Sequence, residues 1–292
     1  MASIASPHMR AAIILMSCPD QTGIITAITE FVYRHQGNII DLDEHVDFEN
    51  QTFFMRIEFD LQNFTLNDEE LRAYFQRYLA TPYQMNWSLH FSDVKPIIAL
   101  FVSQHLHCLY DILARCESKE WDVKVPIIFG NHEVARPVAE RFGAEFHLLH
   151  INKENKREQE QKQIEILRQH NVELVVLTRY MQTLSDEFVN EFPTRIINIH
   201  HSLLPAFVGA KPYHQAHARG VKIIGATSHY VTAELDAGPI IEQDIVRITH
   251  KDSIQDMIRK GRDIEKVILA RAVRLHMQRK ILVHHNKTVV FV

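Results

Sequence analysis

Cysteine is scarce in this 292-residue chain. Cys18, Cys108 and Cys116 are too few for a paired framework and suit a reducing compartment. Positive charge is not in excess either: 32 Lys and Arg stand against 36 Asp and Glu, a net −4 with His neutral. No basic stripe runs through the sequence, which argues against nucleic acid as the principal ligand. No apolar run approaches the ~20 residues that cross a bilayer. Residues 1–10 have no apolar core behind a basic start, so no signal peptide is expected and the reading is cytoplasmic. Glycine-rich phosphate fingerprints are missing, so no nucleotide cofactor is indicated. Internal repeats and low-complexity tracts are absent too. What remains is the composition of one large or two modest domains, long enough to bury a core without disulfides.

Residues 10–92 read as β-α-β-β-α-β. A strand is expected over 11–17, broken by Pro19-Asp20-Gln21-Thr22-Gly23, after which Ile24, Ile25, Ile28, Phe31 and Val32 recur at helical spacing. Arms over 39–48 and 52–59 make a hairpin about Glu49-Asn50-Gln51. Asn67-Asp68-Glu69-Glu70 opens a helix whose stripe is Leu71, Tyr74, Phe75 and Tyr78, and 84–91 closes the unit. That order is a ferredoxin-like module. Residues 93–96 read as a linker, and 97–292 as a second domain in which strands (97–102, 125–129, 146–150, 174–177, 195–199) alternate with helices (105–115, 133–142, 153–170, 186–192). Alternation of this kind predicts an α/β, Rossmann-like, mostly parallel doubly wound sheet with ligands at the carboxyl ends of its strands.

The chemistry concentrates between residues 195 and 243. Asn198 and His200 are two apart, so on a strand they leave the same face. Asp236 follows in a polar loop that Gly238-Pro239 ends, and Pro205, Gly209 and Pro212 mark a bent loop between. An amide donor, an imidazole and a carboxylate are the groups that hold a tetrahedral oxyanion and move protons around it. Taken singly, each has a plainer reading: a buried Asn satisfies backbone, and a loop Asp before Ala-Gly-Pro forms turns. His201 would point to the other face of a regular strand, which suggests a supporting role. His107-Cys108 resembles a nucleophile pair but has no third orienting group adjacent in sequence. The histidine pairs His200-His201, His214/His217 and His284-His285 lack the Cys or carboxylate company of a zinc site, so no metal is expected.

Asn198-Ile199-His200, Ser202-Leu203-Leu204-Pro205 and Leu235-Asp236-Ala237-Gly238-Pro239 together resemble the formyltransferase-type catalytic domain that acts on 10-formyltetrahydrofolate. The likeness runs along most of the chain and is greatest to its deformylase branch, which adds an N-terminal ACT regulatory domain; Asp20 to Ile24 carries the D-x-x-G-I of that module. The resemblance implies hydrolysis of 10-formyltetrahydrofolate to tetrahydrofolate and formate, with Asn198 as oxyanion donor, His200 as proton carrier and Asp236 orienting His200 and water. It implies no cofactor. It places the folate rings between Arg179, Tyr180, Met181, Gln182, Thr183 and Leu184 on one side and Val231, Thr232, Glu234, Leu235 and Asp236 on the other. Transferases of the family grip a phosphorylated acceptor with a Gly-Ser-Asn turn after the first strand. Here bulkier residues, Val102 to Leu109, follow that strand, which favours water as acceptor. A transferase with an amine acceptor and a folate- or amino-acid-sensing protein are the alternatives. The ACT likeness implies a homo-oligomer and an amino-acid effector, glycine or methionine, at Asp20, Gln21, Thr22, Gly23, Ile24 and Asn38.

Overall fold

A computed structural model describes residues 10–205 and 212–292; Gly209 and the segment before Arg10 lie outside the described residues. The chain divides into two compact units, 1–94 with 279–282 and 289–292, and 95–278 with 283–288. The residues after Gln278, read from sequence with the second domain, are thus shared between the two.

In the first unit β1 (Ala11–Pro19), α1 (Ile24–Arg34), β2 (Ile39–Asp47), β3 (Thr52–Asp60), α2 (Asp68–Phe75, prolonged by a π turn Gln76–Ala80) and β4 (Asn86–Phe91) follow in order. The antiparallel sheet runs β2-β3-β1-β4, the ferredoxin-like order expected from sequence. Alternation decides which side of β1 meets what. Ala12, Ile14 and Met16 join Ile28, Phe31 and Phe75 beneath the helices, whereas Leu15 faces Phe54 and the C-terminal Phe291. Two helix starts differ in kind. Asn67 accepts from the backbone N–H of Glu69 and Glu70 while Glu70 reaches back to it, a complete capping box. The start of α1 has no side-chain cap and turns through Gly23 at φ 96°, a backbone that favours glycine.

The second unit alternates β5 (Ile97–Val102), α3 (His107–Glu117), β6 (Lys124–Gly130), α4 (Arg136–Arg141, entered through a 3₁₀ turn Glu133–Ala135), β7 (Glu145–Leu148), α5 (Lys156–Gln169), β8 (Leu174–Thr178), α6 (Asp186–Glu191) and β9 (Ile196–His200). Then come α7 (Pro212–Arg219), β10 (Ile223–Tyr230), β11 (Ile240–Arg247) and the long α8 (Ile254–Met277). A hairpin, β12 (Ile281–His284) and β13 (Lys287–Val290), follows. The seven-stranded sheet has the order β11-β10-β9-β8-β5-β6-β7; β5 to β9 are parallel, and β10 and β11 extend it antiparallel. Strand order reverses between β5 and β8, so the carboxyl ends of β5, β8 and β9 open on one crevice. The helix α8 was not among the sequence expectations: its apolar stripe of Met257, Ile268, Leu269 and Val273 is interrupted by Gly261 and Glu265, both buried.

The frame around β10 is tight. Gln243 donates to Thr227 Oγ1 and to the Leu204 carbonyl, and Thr227 in turn bonds Ser202 O and Leu204 N, so β10 and β11 pin the segment from Ser202 to Leu204. Past β10 the chain doubles back so closely that a Cβ on Gly238 would stand 1.8 Å from the Tyr230 carbonyl oxygen, a contact no side chain survives. Gly238→Ala is therefore expected to lower stability by about 1–3 kcal/mol or more. Thermal unfolding against wild type measures it, and an unchanged midpoint would contradict the close approach.

Candidate active site

The strand β9 ends at His200, and its register with β10 sets His229 opposite Asn198 and Thr227 opposite His200. Directly paired residues of an antiparallel ladder share a face, so Asn198 acquires an imidazole neighbour that sequence spacing does not announce. Asn198 Nδ2 lies 3.2 Å from His229 Nε2, and His229 Nδ1 gives its proton to the Tyr230 carbonyl at 2.9 Å. One amide N–H of Asn198 is thereby committed to His229 and the other is left for a ligand oxygen.

Asp236 reaches the same point from the β10–β11 loop, at φ 56° in the left-handed region. Its Oδ2 is 3.2 Å from His200 Nδ1 and its Oδ1 is 3.7 Å from His229 Nε2. The hydrogen bond from His200 first, with the nearby His229 imidazole second, holds the carboxyl well below the usual carboxylate range against the cost of burial. Asp236 is an anion at any physiological pH. His200 is 7% exposed, and its Nε2 is buried with no hydrogen-bond partner among the described residues.

A cavity of about 490 Å³ opens here, with Asn198, His200 and Asp236 on its wall. All six residues 179–184 line it, as do Val231, Thr232 and Leu235. Glu234 does not; its carbonyl accepts the Thr232 hydroxyl at 3.1 Å within the turn. Ser103, at the end of β5, accepts the Met181 N–H at 2.9 Å and so fixes the 179–184 segment against the sheet. Tyr180 packs edge-on against Phe101 in the core, while Met181 is 61% exposed and free to cover a flat ligand.

His201 also lines this cavity, contrary to the alternation expected of it, because the strand stops one residue earlier. Burial, with Arg179 and His200 nearby, pushes its pKa down to about 4, so it is a neutral imidazole. No third group is adjacent to His107-Cys108 in sequence, but Glu265, far along the chain on α8, brings its Oε2 to 2.7 Å from His107 Nε2. The Cys108 thiol is nevertheless pushed well up by burial and is no nucleophile. His107, Cys108 and Glu265 each offer a ligand atom within 4.8 Å of the others, but Tyr213 and Arg179 also crowd the Glu265 carboxylate. His229 and Glu265 are the residues that sequence reasoning missed. The polar interruption at Glu265 in the α8 stripe was a signal for the second; for His229 nothing short of the strand register sufficed.

Residues 97–273, whose parallel sheet presents an amide, an imidazole and a carboxylate at its carboxyl edge, match the formyl transferase family, which makes this an enzyme of the formyl-transfer class. A formyltetrahydrofolate deformylase of Synechocystis sp. is 54% identical over 280 residues, 96% of this chain and 98% of that protein. The crystal structure of a formyltetrahydrofolate deformylase from Pseudomonas syringae superposes with a TM-score of 0.95 at 42% identity, covering 98% of this chain and 96% of that one. A glycinamide ribonucleotide transformylase from Symbiobacterium toebii covers 70% of this chain at a TM-score of 0.64 and 30% identity. The chain belongs to the formyl transferase family and, within it, to the formyltetrahydrofolate deformylases.

The neutral His201 has a consequence for stability. An unfolded His titrates near 6.5, so as pH falls from there toward 4 the unfolded chain binds a proton that folded His201 refuses, and stability drops with it. His201→Asn is expected to flatten that loss. Urea unfolding at pH 7 and pH 5 measures it, and equal pH slopes in the two proteins would contradict the assignment.

Proposed function

We propose that this chain hydrolyses 10-formyltetrahydrofolate to tetrahydrofolate and formate. The approach of Asp236 to His200, 3.2 Å on a wall shared with Asn198, is the observation that supports it most. Water adds to the formyl carbon, a C–O bond forms and the carbonyl oxygen becomes an oxyanion. The uncommitted N–H of Asn198 is the donor for that oxygen, a contribution worth about 10²–10³ in rate. Asp236 orients His200 and the attacking water, and His200 passes a proton to the leaving nitrogen as the C–N bond breaks. One water proton thus ends on the amine, the other goes to solvent, and formate departs as an anion. The folate rings would lie along 179–184 and 231–235, where an apolar wall with a few polar groups suits a flat heteroaromatic ligand. No cofactor or metal enters the scheme. In the cell the reaction would supply formate to purine synthesis and balance one-carbon pools, in the cytoplasm that three unpaired cysteines suit.

Asp236→Asn is expected to abolish formate release while leaving tetrahydrofolate affinity within about an order of magnitude, since the amide keeps size and most hydrogen bonding but loses the charge that orients His200 and the water. Steady-state assay together with ligand titration tests it, and wild-type turnover in the variant would sink the assigned role.

We further propose that the first unit is an ACT-type regulatory module that binds glycine or methionine and pairs the subunits. A cavity of about 360 Å³ there is lined by Asp20, Gln21, Gly23 and Ile24, and also by Glu44. Backbone N–H groups at the start of α1 suit a carboxylate, and two carboxylates suit an ammonium. Thr22 and Asn38, the other two residues expected there, do not line it. The edge strand β2 exposes Ile39 and Ile40, a surface suited to a second copy. Because Gly23 has a left-handed backbone, Glu44→Gln is the cleaner probe than a change at Gly23. The expected outcome is a hydrolysis rate that shifts with glycine or methionine in wild type and loses the shift in Glu44→Gln. A wild-type rate indifferent to both amino acids would remove the regulatory assignment.

A further inference from the structure

Glu265, on α8, is 1% exposed, and the scheme above makes no use of it. A carboxylate that deep persists only among charged or hydrogen-bonding partners. His107 Nε2 lies 2.7 Å from its Oε2, and Tyr213 donates its hydroxyl to Oε1 at 3.1 Å. Tyr213 is itself wedged, since a Cβ on Gly261 would stand 2.0 Å from the phenolic oxygen. Burial drives the Glu265 carboxyl upward, yet the bond from His107 and the charge of Arg179 prevail and hold it below its usual range. It is an anion without a role in the reaction.

Arg179 is the cation that faces it. It directly follows β8 at the carboxyl edge of the sheet and lines the cavity that Asn198, His200 and Asp236 line. Its side chain is 11% exposed, and its Nε stands 3.6 Å from Glu265 Oε2, close enough for charge attraction and too long for a hydrogen bond. That buried Nε has no hydrogen-bond partner among the described residues. A guanidinium offers five donors in a planar fork matched to the two oxygens of a carboxylate. Nearly buried polar groups are seldom left with their capacity unfilled unless something binds there. The neutral ring of His201 stands 5.2 Å from that of His200 and feels the charge of Arg179. Hydrolysis of a formyl group creates one small carboxylate beside His200.

We propose that Arg179 is the formate subsite. Its terminal nitrogens take the oxygens of the released carboxylate, while Glu265 positions the guanidinium and, as a competing anion, keeps the hold weak enough for release. The inference rests on the hydrolytic reading of the cavity, in which the formyl C–N bond breaks, water supplies the second oxygen, and the product leaves as formate.

The test is inhibition by added formate, measured on the full-length wild type, Arg179→Gln, Arg179→Lys and Glu265→Gln, with tetrahydrofolate binding recorded on the same preparations. Arg179→Gln is expected to weaken formate inhibition about tenfold or more, the scale of hydrogen bonds to a charged group, and to weaken tetrahydrofolate binding, which Arg179 also flanks, by clearly less. Arg179→Lys falls between, because a point charge replaces a fork. Glu265→Gln strengthens inhibition, because the competing charge is gone. Unchanged inhibition in Arg179→Gln overturns the proposal, as does equal weakening of formate and tetrahydrofolate, the mark of a merely structural residue. A wild type that releases formate yet ignores added formate also overturns it, with hydrolysis intact. A wild type that releases no formate overturns the hydrolytic reading and this inference with it.

Discussion

Asp236 meets His200 because the chain after β10 folds back on itself at van der Waals limits. The close approach of Gly238 to the Tyr230 carbonyl and the bond from Tyr230 N–H to Pro239 O fix where the loop turns. With the turn fixed, Asp236 adopts a left-handed backbone, a conformation that costs a non-glycine residue on the order of 1 kcal/mol or more and persists only where its surroundings over-determine it. Here they do. His200 holds the carboxylate with His229 close beside it, and the two imidazoles are on adjacent strands of fixed register. Strand pairing, turn and charge therefore support one another, and loosening any of them loosens the constellation.

The distribution of legible and illegible features follows from this. Strands with continuous apolar runs, such as 97–102 and 174–177, were legible because burial on both faces of a parallel sheet demands them. The first unit was legible for a different reason, alternation punctuated by turn residues. Asn198, His200 and Asp236 were legible through motif likeness; their grouping rests on a loop that sequence distance alone does not close. His229 was not, because a paired neighbour on the next strand depends on register rather than on spacing. His201 misled because alternation was carried one residue past the end of β9. Glu265 left one signal, a charged residue interrupting the apolar stripe of α8, but its partner His107 is far away in sequence and only the fold brings the two together.

Polar chemistry in the second unit is layered rather than scattered. At the cavity wall, Asp236 is kept ionised by the imidazoles that face it, and behind that wall Glu265 is kept ionised by His107, Tyr213 and Arg179. Neutral His201 lies within the field of both anions. Like charges in so small a volume repel strongly at low effective dielectric, and the arrangement is tolerable because each carboxylate has its own cationic or hydrogen-donating shell.

The same layering bears on which acceptor the cavity admits. A phosphorylated amine needs backbone N–H groups within reach and room for its own dianion. After β5 this chain has Ser103, committed to the Met181 N–H, and then a helix whose first residue, His107, is bonded to Glu265. Ground that could have gripped a phosphate is thus occupied by side chains holding other side chains, and the fixed negative charge of Glu265 repels a second anion of high charge. Water meets neither obstacle. A monoanion of three heavy atoms, with a guanidinium to balance it, meets the second only weakly, so an arrangement that turns away a large anionic acceptor can still hold and release the small anion that hydrolysis makes.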